Sequence, residues 1–219
     1  VVLTIDETIQ YLATKTLEKA IADYKVMQGA VCIVMDPRTG DVLALVSKPD
    51  FNLNEPFAAP IGIEGIVPEE WNGSTSEAVE ILNKTVWRNK AISDTYEPGS
   101  TFKSFTSAAA LEEGVVTPET ITTDMPVEIG GWKIHCWRRG REHGTVTFRE
   151  GIYNSCNPVF VRAAQQLGVD RFYSYLRAFG FYDKTGIELY GEGTPQFASK
   201  PQEIDMAVNS FGQRFTITP

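Results

Sequence analysis

Apolar residues recur at helical spacing in the first part of the chain, where Ile9, Leu12, Ala13, Leu17, Ala20 and Tyr24 form a stripe with Lys, Glu and Asp elsewhere. The spacing predicts a core-covering helix to about Met27, opened by capping-box spacing at Thr4-Ile5-Asp6-Glu7 after a strand end at Val1 to Leu3. Two runs rich in branched apolar residues, Ala30 to Asp36 and Asp41 to Ser47, flank the turn Pro37-Arg38-Thr39-Gly40 and predict a β-hairpin over 30–47. Lys48 to Gly73, broken by Pro49, Pro56, Pro60 and Pro68, reads as loop, and Ser74 to Leu82 as a short helix. The Ala-rich run Ser100 to Glu113 lacks Pro and Gly; entered at Pro98-Gly99 and stopped at Gly114, it predicts a helix from about residue 100. Thr117 to Gly144 alternates around Gly130-Gly131 and predicts small strands. Thr147-Phe148-Arg149-Glu150 is a second capping box, and helices through Ile152, Val159 to Leu167 and Phe172 to Phe179 make a helical portion over about 147–180. Only two long strands are convincing, so the sheet is very small or incomplete.

Composition narrows the class. The 219 residues carry a net charge of −8, and the basic run Lys133 to Arg141 is short and interrupted, which argues against a nucleic-acid surface. No stretch of about eighteen apolar residues and no charged-then-apolar leader is present, so the chain is expected neither to span a membrane nor to carry its own export signal. Its abrupt start in an apolar run reads as a piece of something longer. Three cysteines exclude a full disulfide framework, and Cys32 sits in an apolar strand as a small core residue. Cys136, His143 and Cys156, with His135 beside them, bring zinc's preferred donor types close in sequence, although the spacing matches no standard zinc motif. Packed thiols and a Cys136–Cys156 disulfide are the competing readings.

Two motifs carry chemistry. Ser100 and Lys103 are three apart, which puts both side chains on one helix face. A serine hydroxyl becomes a nucleophile when a base takes its proton, and a lysine serves if burial or the positive helix end discourages its ammonium. Ser155 and Asn157, two apart at a bend between helices, offer a hydroxyl to relay a proton and a carboxamide to hold a carbonyl or a lysine. Helix capping accounts equally for the second pair.

The order Ser-x-x-Lys then Ser-x-Asn resembles the penicillin-binding proteins and serine β-lactamases. Trp87 to Ala91, Ser93-Asp94 and Tyr96 to Lys103 narrow the resemblance to the transpeptidase domain of class B penicillin-binding proteins. The opening VVLTIDETIQ, the hairpin VMDPRTGDVLAL and the late SFGQ followed by Thr216 to Pro219 resemble the same family, so the likeness spans residues 1–219. It implies an α+β fold, an antiparallel sheet flanked by helices, of which this chain is the N-terminal and central part of one domain. It also implies Ser100 as nucleophile, Lys103 as general base, Ser155 and Asn157 as the second element, and the Ser100 N–H as an oxyanion donor. No cofactor is needed for that chemistry. The implied substrates are peptidoglycan stem peptides ending in D-alanyl-D-alanine, with β-lactams acylating the same serine. The implied place is the extracytoplasmic face of the bacterial membrane, held by an anchor absent from this chain, with other cell-wall synthesis proteins as partners.

The family's third element, Lys-Thr-Gly or Lys-Ser-Gly on an edge strand, is imitated twice. Arg38-Thr39-Gly40 is the hairpin turn, and Lys184-Thr185-Gly186 resembles a connecting-loop segment. The true element and the remaining strands are expected beyond Pro219, so the isolated chain is expected to expose a strand edge, to be unstable or self-associating, and to be inactive alone. A serine β-lactamase and a β-lactam-binding sensor domain are the alternatives.

Overall fold

The computed structural model describes residues 2–61, 63–138, 140 and 143–219; Val1 of the expected strand end, and Arg139 and Arg141 of the basic run, lie outside the described residues. Two compact units form, one of Val1–Asp94, Leu189–Gly193 and Thr218–Pro219, the other of Thr95–Glu188 and Thr194–Ile217.

In the first unit, α1 (Glu7–Tyr24) starts from Asp6, whose carboxylate accepts the Ile9 N–H at 2.9 Å. The expected cap at Thr4 is displaced because its hydroxyl donates to the Val42 carbonyl at 2.7 Å, and residues 2 and 3 form no strand. The helix ends three residues before Met27, where Lys25 turns left-handed at φ 53°. The hairpin forms as read: β1 (Ala30–Met35) pairs antiparallel with β2 (Val42–Lys48), with Cys32 opposite Val46. Along β2, Ala44 and Val46 are buried at the period of a half-buried strand. Gln10 of α1 bonds β2 in both directions, donating to the Leu45 carbonyl at 3.1 Å and accepting the Leu45 N–H at 2.8 Å. Part of the edge expected to stand open is therefore occupied. The loop after β2 contains one 3-10 turn, Pro68–Glu70, and is pinned by indole N–H groups: Trp71 donates to the Phe57 carbonyl and Trp87 to that of Pro56, both at 2.9 Å. The short helices α2 (Ser76–Lys84) and α3 (Lys90–Ser93) follow, capped by Thr75 and Asn89.

The second unit begins with a 3-10 turn, Gly99–Phe102, that runs into α4 (Lys103–Glu112). Four three-residue strands then pair as two antiparallel ribbons: β3 (Ile121–Thr123) with β6 (Thr145–Thr147), and β4 (Val127–Ile129) with β5 (Trp132–Ile134). Thr147 and Glu150 make the reciprocal capping bonds that open α5 (Phe148–Tyr153), as their spacing predicts. After α6 (Asn157–Leu167) and α7 (Val169–Ala178) comes α8 (Glu203–Asn209), a helix absent from the sequence reading. Phe102, Phe148, Phe160, Phe172 and Met206 fill the core beneath α4 and α6. Lys184-Thr185-Gly186 lies in the exposed segment after α7 and belongs to no strand. These helices with antiparallel ribbons make the chain α+β.

Candidate active site

Phe102, 1% exposed, anchors the 3-10 turn by packing on Phe105, Phe181 and Phe215. With that ring fixed, Ser100 stays at the surface and Lys103, 4% exposed, turns inward. The Lys103 Nζ donates to Ser100 Oγ at 3.0 Å. Ser155 and Asn157 arrive from the α5–α6 bend. Ser155 takes the left-handed conformation at φ 49°, a strain of about 1 kcal/mol that the flanking bonds from Ser155 N–H to Ile152 O and Cys156 N–H to Gly151 O hold in place. Val159 packs so close to Gly151 that a Cβ there would lie 2.5 Å from Val159 Cγ1, which lets the two helices approach.

The bend brings three more oxygens to Lys103: Asn157 Oδ1 at 2.7 Å, the Ser155 carbonyl at 2.8 Å and Ser155 Oγ at 2.9 Å. Ser155 Oγ also donates to Ser100 Oγ at 3.1 Å. All four residues expected to act together do meet. Neither side chain of the second pair caps a helix; the N-cap of α6 is Cys156, which makes no side-chain cap bond. Burial brings the Lys103 pKa down from 10.5 to about 8, against a smaller opposing pull from Cys156 and Cys136. The Phe160 ring, whose centroid is 5.2 Å from Nζ, was not singled out by sequence and makes up part of the low-dielectric wall. An amine so disposed can accept a proton from Ser100.

The second cluster departs from its expected membership. Among the described residues, Asp124, Cys136 and His143 are the set whose ligand atoms lie within 4.8 Å of one another. Cys156, expected as a ligand, stands outside that set, and His135 is not a member. Asp124 was missed because it precedes Cys136 by a full ribbon and carries no local motif. It is fully buried and accepts the backbone N–H groups of His143 and Gly144, the latter at 3.1 Å. His143 Nε2 is buried without a hydrogen-bond partner among the described residues. A carboxylate, a thiol and an unpartnered imidazole nitrogen fit a zinc ion. All three cysteines are free thiols, so the competing reading of a Cys136–Cys156 disulfide is not met; burial first, then Cys136, pushes the Cys156 thiol up to about 12.

The model of the penicillin binding protein transpeptidase domain matches residues 30–219. Stage V sporulation protein D of Bacillus subtilis is 35% identical, over 99% of this chain and 30% of the relative. The peptidoglycan D,D-transpeptidase PbpA of Mycobacterium tuberculosis is 33% identical, over 99% of this chain and 43% of the relative. Among solved structures, Pseudomonas aeruginosa PBP2 in complex with WCK 5153 superposes with a TM-score of 0.77 at 27% identity, over 100% of this chain and 48% of that one. The transpeptidase domain of Burkholderia pseudomallei penicillin-binding protein 3, at 23% identity and a TM-score of 0.75, shares the fold over 99% of this chain and 54% of that one. The chain thus spans less than half the length of these curated relatives. A match over residues 30–219 establishes that the chain belongs to the penicillin-binding protein transpeptidase domain family.

Proposed function

We propose that residues 1–219 are the N-terminal and central part of the transpeptidase domain of a peptidoglycan D,D-transpeptidase, and that they carry its acylation machinery. The observation that carries this reading is the 3.0 Å contact of Ser100 Oγ with a lysine whose pKa falls to about 8. In the first step Lys103 takes the Ser100 proton while Oγ bonds to the carbonyl carbon of the penultimate D-alanine. The C–N bond to the terminal residue then breaks, and that nitrogen leaves as D-alanine after receiving a proton through Ser155 Oγ, which bridges Ser100 and Lys103. The Ser100 N–H, in a helix's first turn where N–H groups lack intrahelical partners, stabilises the developing oxyanion. A β-lactam ring opens on Ser100 by the same attack.

The partners are stem peptides ending in D-alanyl-D-alanine, β-lactams and other cell-wall synthesis proteins, and the place of action is outside the cytoplasmic membrane. No helix among the described residues is long and apolar enough to cross a membrane. Among the described residues every hydrogen-bond acceptor of Lys103 is a neutral oxygen, which supports a transpeptidase over a hydrolase with a deacylating carboxylate at the same centre. Intact mass after exposure to a fluorescent penicillin tests the reading: Ser100 becomes stably acylated in the full-length protein and Ser100→Ala does not. A short-lived adduct would point to a β-lactamase, and no adduct would remove the assignment.

Asp124, Cys136 and His143, with Cys156 against Cys136, form a structural zinc site in this reading, joining separate loops behind the α5–α6 bend. Zinc there would supply cross-linking, with no part in acyl transfer.

A further inference from the structure

The β4–β5 ribbon turns through two left-handed glycines, Gly130 (φ 54°) and Gly131 (φ 77°), so Ile129 and Trp132 flank the turn as a bonded pair. Bonded and non-bonded pairs alternate along an antiparallel ladder. Lys133, opposite Glu128, therefore turns its backbone N–H and C=O away from β4. Among the described residues β5 has no other strand beside it. A groove of about 590 Å³ opens there, lined without interruption by residues 132–137. A strand's face offers alternate residues, whereas its edge offers such a run. Ile204 and Val208 of α8, with Phe211, supply apolar lining.

Two further lining residues bear on the chemistry. Asn157, whose Oδ1 accepts from Lys103 Nζ at 2.7 Å, belongs both to the groove's wall and to the Ser100 cluster. Arg214 is held left-handed at φ 62°, its backbone N–H donating to Glu97 Oε1 at 2.8 Å. Its guanidinium makes no ion pair within 4.0 Å among the described residues, in a chain where 28 acidic residues outnumber 20 basic ones.

We infer that this groove receives the amine-bearing acceptor stem peptide as an extended segment added to the edge of β5, with a carboxylate of that peptide taken by Arg214. The inference rests on the transpeptidase reading. An added strand satisfies the outward groups of Lys133, and alternate side chains meet the apolar lining. A guanidinium pairs with a carboxylate through two parallel hydrogen bonds. From there the acceptor amine reaches the Ser100 ester. Its lone pair forms the C–N bond to the acyl carbon, the ester C–O bond breaks, and the amine's proton returns to Ser100 Oγ through Ser155 and Lys103.

The test uses the full-length protein, a donor peptide ending in D-alanyl-D-alanine, and rising concentrations of an amine-bearing tetrapeptide, with amide and hydrolysed products read separately. Lys133→Pro deletes the outward N–H without removing a ladder bond, and Arg214→Gln deletes the charge. Each is expected to raise the acceptor concentration for half-maximal amide formation by about tenfold, the effect of one lost hydrogen-bonding contact. Amidating the acceptor's carboxylates should do the same to the wild type and nothing more to Arg214→Gln. An unchanged half-saturating concentration in Arg214→Gln, or equal use of amidated acceptor by the wild type, overturns the inference even if Lys133→Pro fails to fold. A donor that acylates and hydrolyses normally under either result leaves the transpeptidase reading standing, and a donor that never acylates Ser100 removes both.

Discussion

Gly99 donates its N–H to the carbonyl of Gly212 at 2.8 Å, and the two backbones approach so closely that a Cβ on Gly212 would fall 2.0 Å from the Gly99 carbonyl oxygen. The turn after α8 is thus a backstop for the residue before Ser100. Buried bonds fix that turn in place: Thr106 Oγ1 donates to the Ser210 carbonyl at 2.8 Å, and the Tyr173 hydroxyl to Asn209 Oδ1 at 2.7 Å.

Gly212→Ala should therefore be severe. The added Cβ would meet the Gly99 backbone rather than a flexible side chain, at φ 81°, so one of the two segments must move. We expect a loss of at least 2 kcal/mol in stability and at least a tenfold drop in the penicillin acylation rate, read by thermal unfolding and stopped-flow labelling. Gly99→Ala, at φ 60° with nothing within 4 Å of the added Cβ, should cost only about 1 kcal/mol. Equal effects of the two would mean that the contact does not position Ser100.

Lys103 should make both acylation and stability pH-dependent. Its folded pKa, about 8, lies below its ordinary 10.5, so between those values the unfolded chain holds more protons than the folded one. Stability attributable to this residue consequently rises with pH across that window, and below pH 8 the full cost, about 3 kcal/mol, is present. Lys103→Met should flatten this gradient in denaturant titrations. Acylation of the wild type should climb through about pH 8 to a plateau.

Asn157→Asp tests the neutrality of the cluster. A carboxylate 2.7 Å from Nζ would favour the ammonium and raise the Lys103 pKa. Each unit of that rise should lower acylation at pH 7 about tenfold and move the acid limb upward. A pH profile coincident with the wild type would show that Lys103 is not the base.

For the metal, one zinc per chain is expected after purification in zinc-containing medium, lost in Asp124→Asn and reduced in Cys136→Ser. Chelation should lower Tm while the far-UV spectrum at low temperature is retained. A metal-free protein with unchanged Tm would leave these residues as packed polar groups.

The helices and the hairpin were legible because each rests on a local pattern: the stripe of α1, the branched runs around the Pro37–Gly40 turn, the reciprocal cap of Thr147 and Glu150. Caps decided by distant partners were not. Thr4 left its predicted place because Val42, far along the chain, accepts its hydroxyl. α8 was missed because its capping box runs from Gln202 to Asp205, a pair less diagnostic than serine with glutamate. Within the site, residue types and spacing pointed to Ser100, Lys103, Ser155 and Asn157, whose meeting the fold accomplishes. Asp124 and Gly212 remained invisible, since a buried acid and a backbone contact each depend on segments that the sequence places far apart.

The surroundings of Lys103 have a consequence in the counting of protons. Four oxygens stand within 3.0 Å of Nζ, whereas an ammonium has three hydrogens to give. Ser100 Oγ is the most distant of the four and the one most easily left out. When the nitrogen loses its charge it gains a lone pair, and a hydroxyl that had been accepting can turn its own hydrogen inward. The Ser100 hydroxyl can thus be turned toward a neutral Lys103 by reversing the polarity of bonds already in place. Hydroxyl hydrogens rotate, and no heavy atom needs to travel.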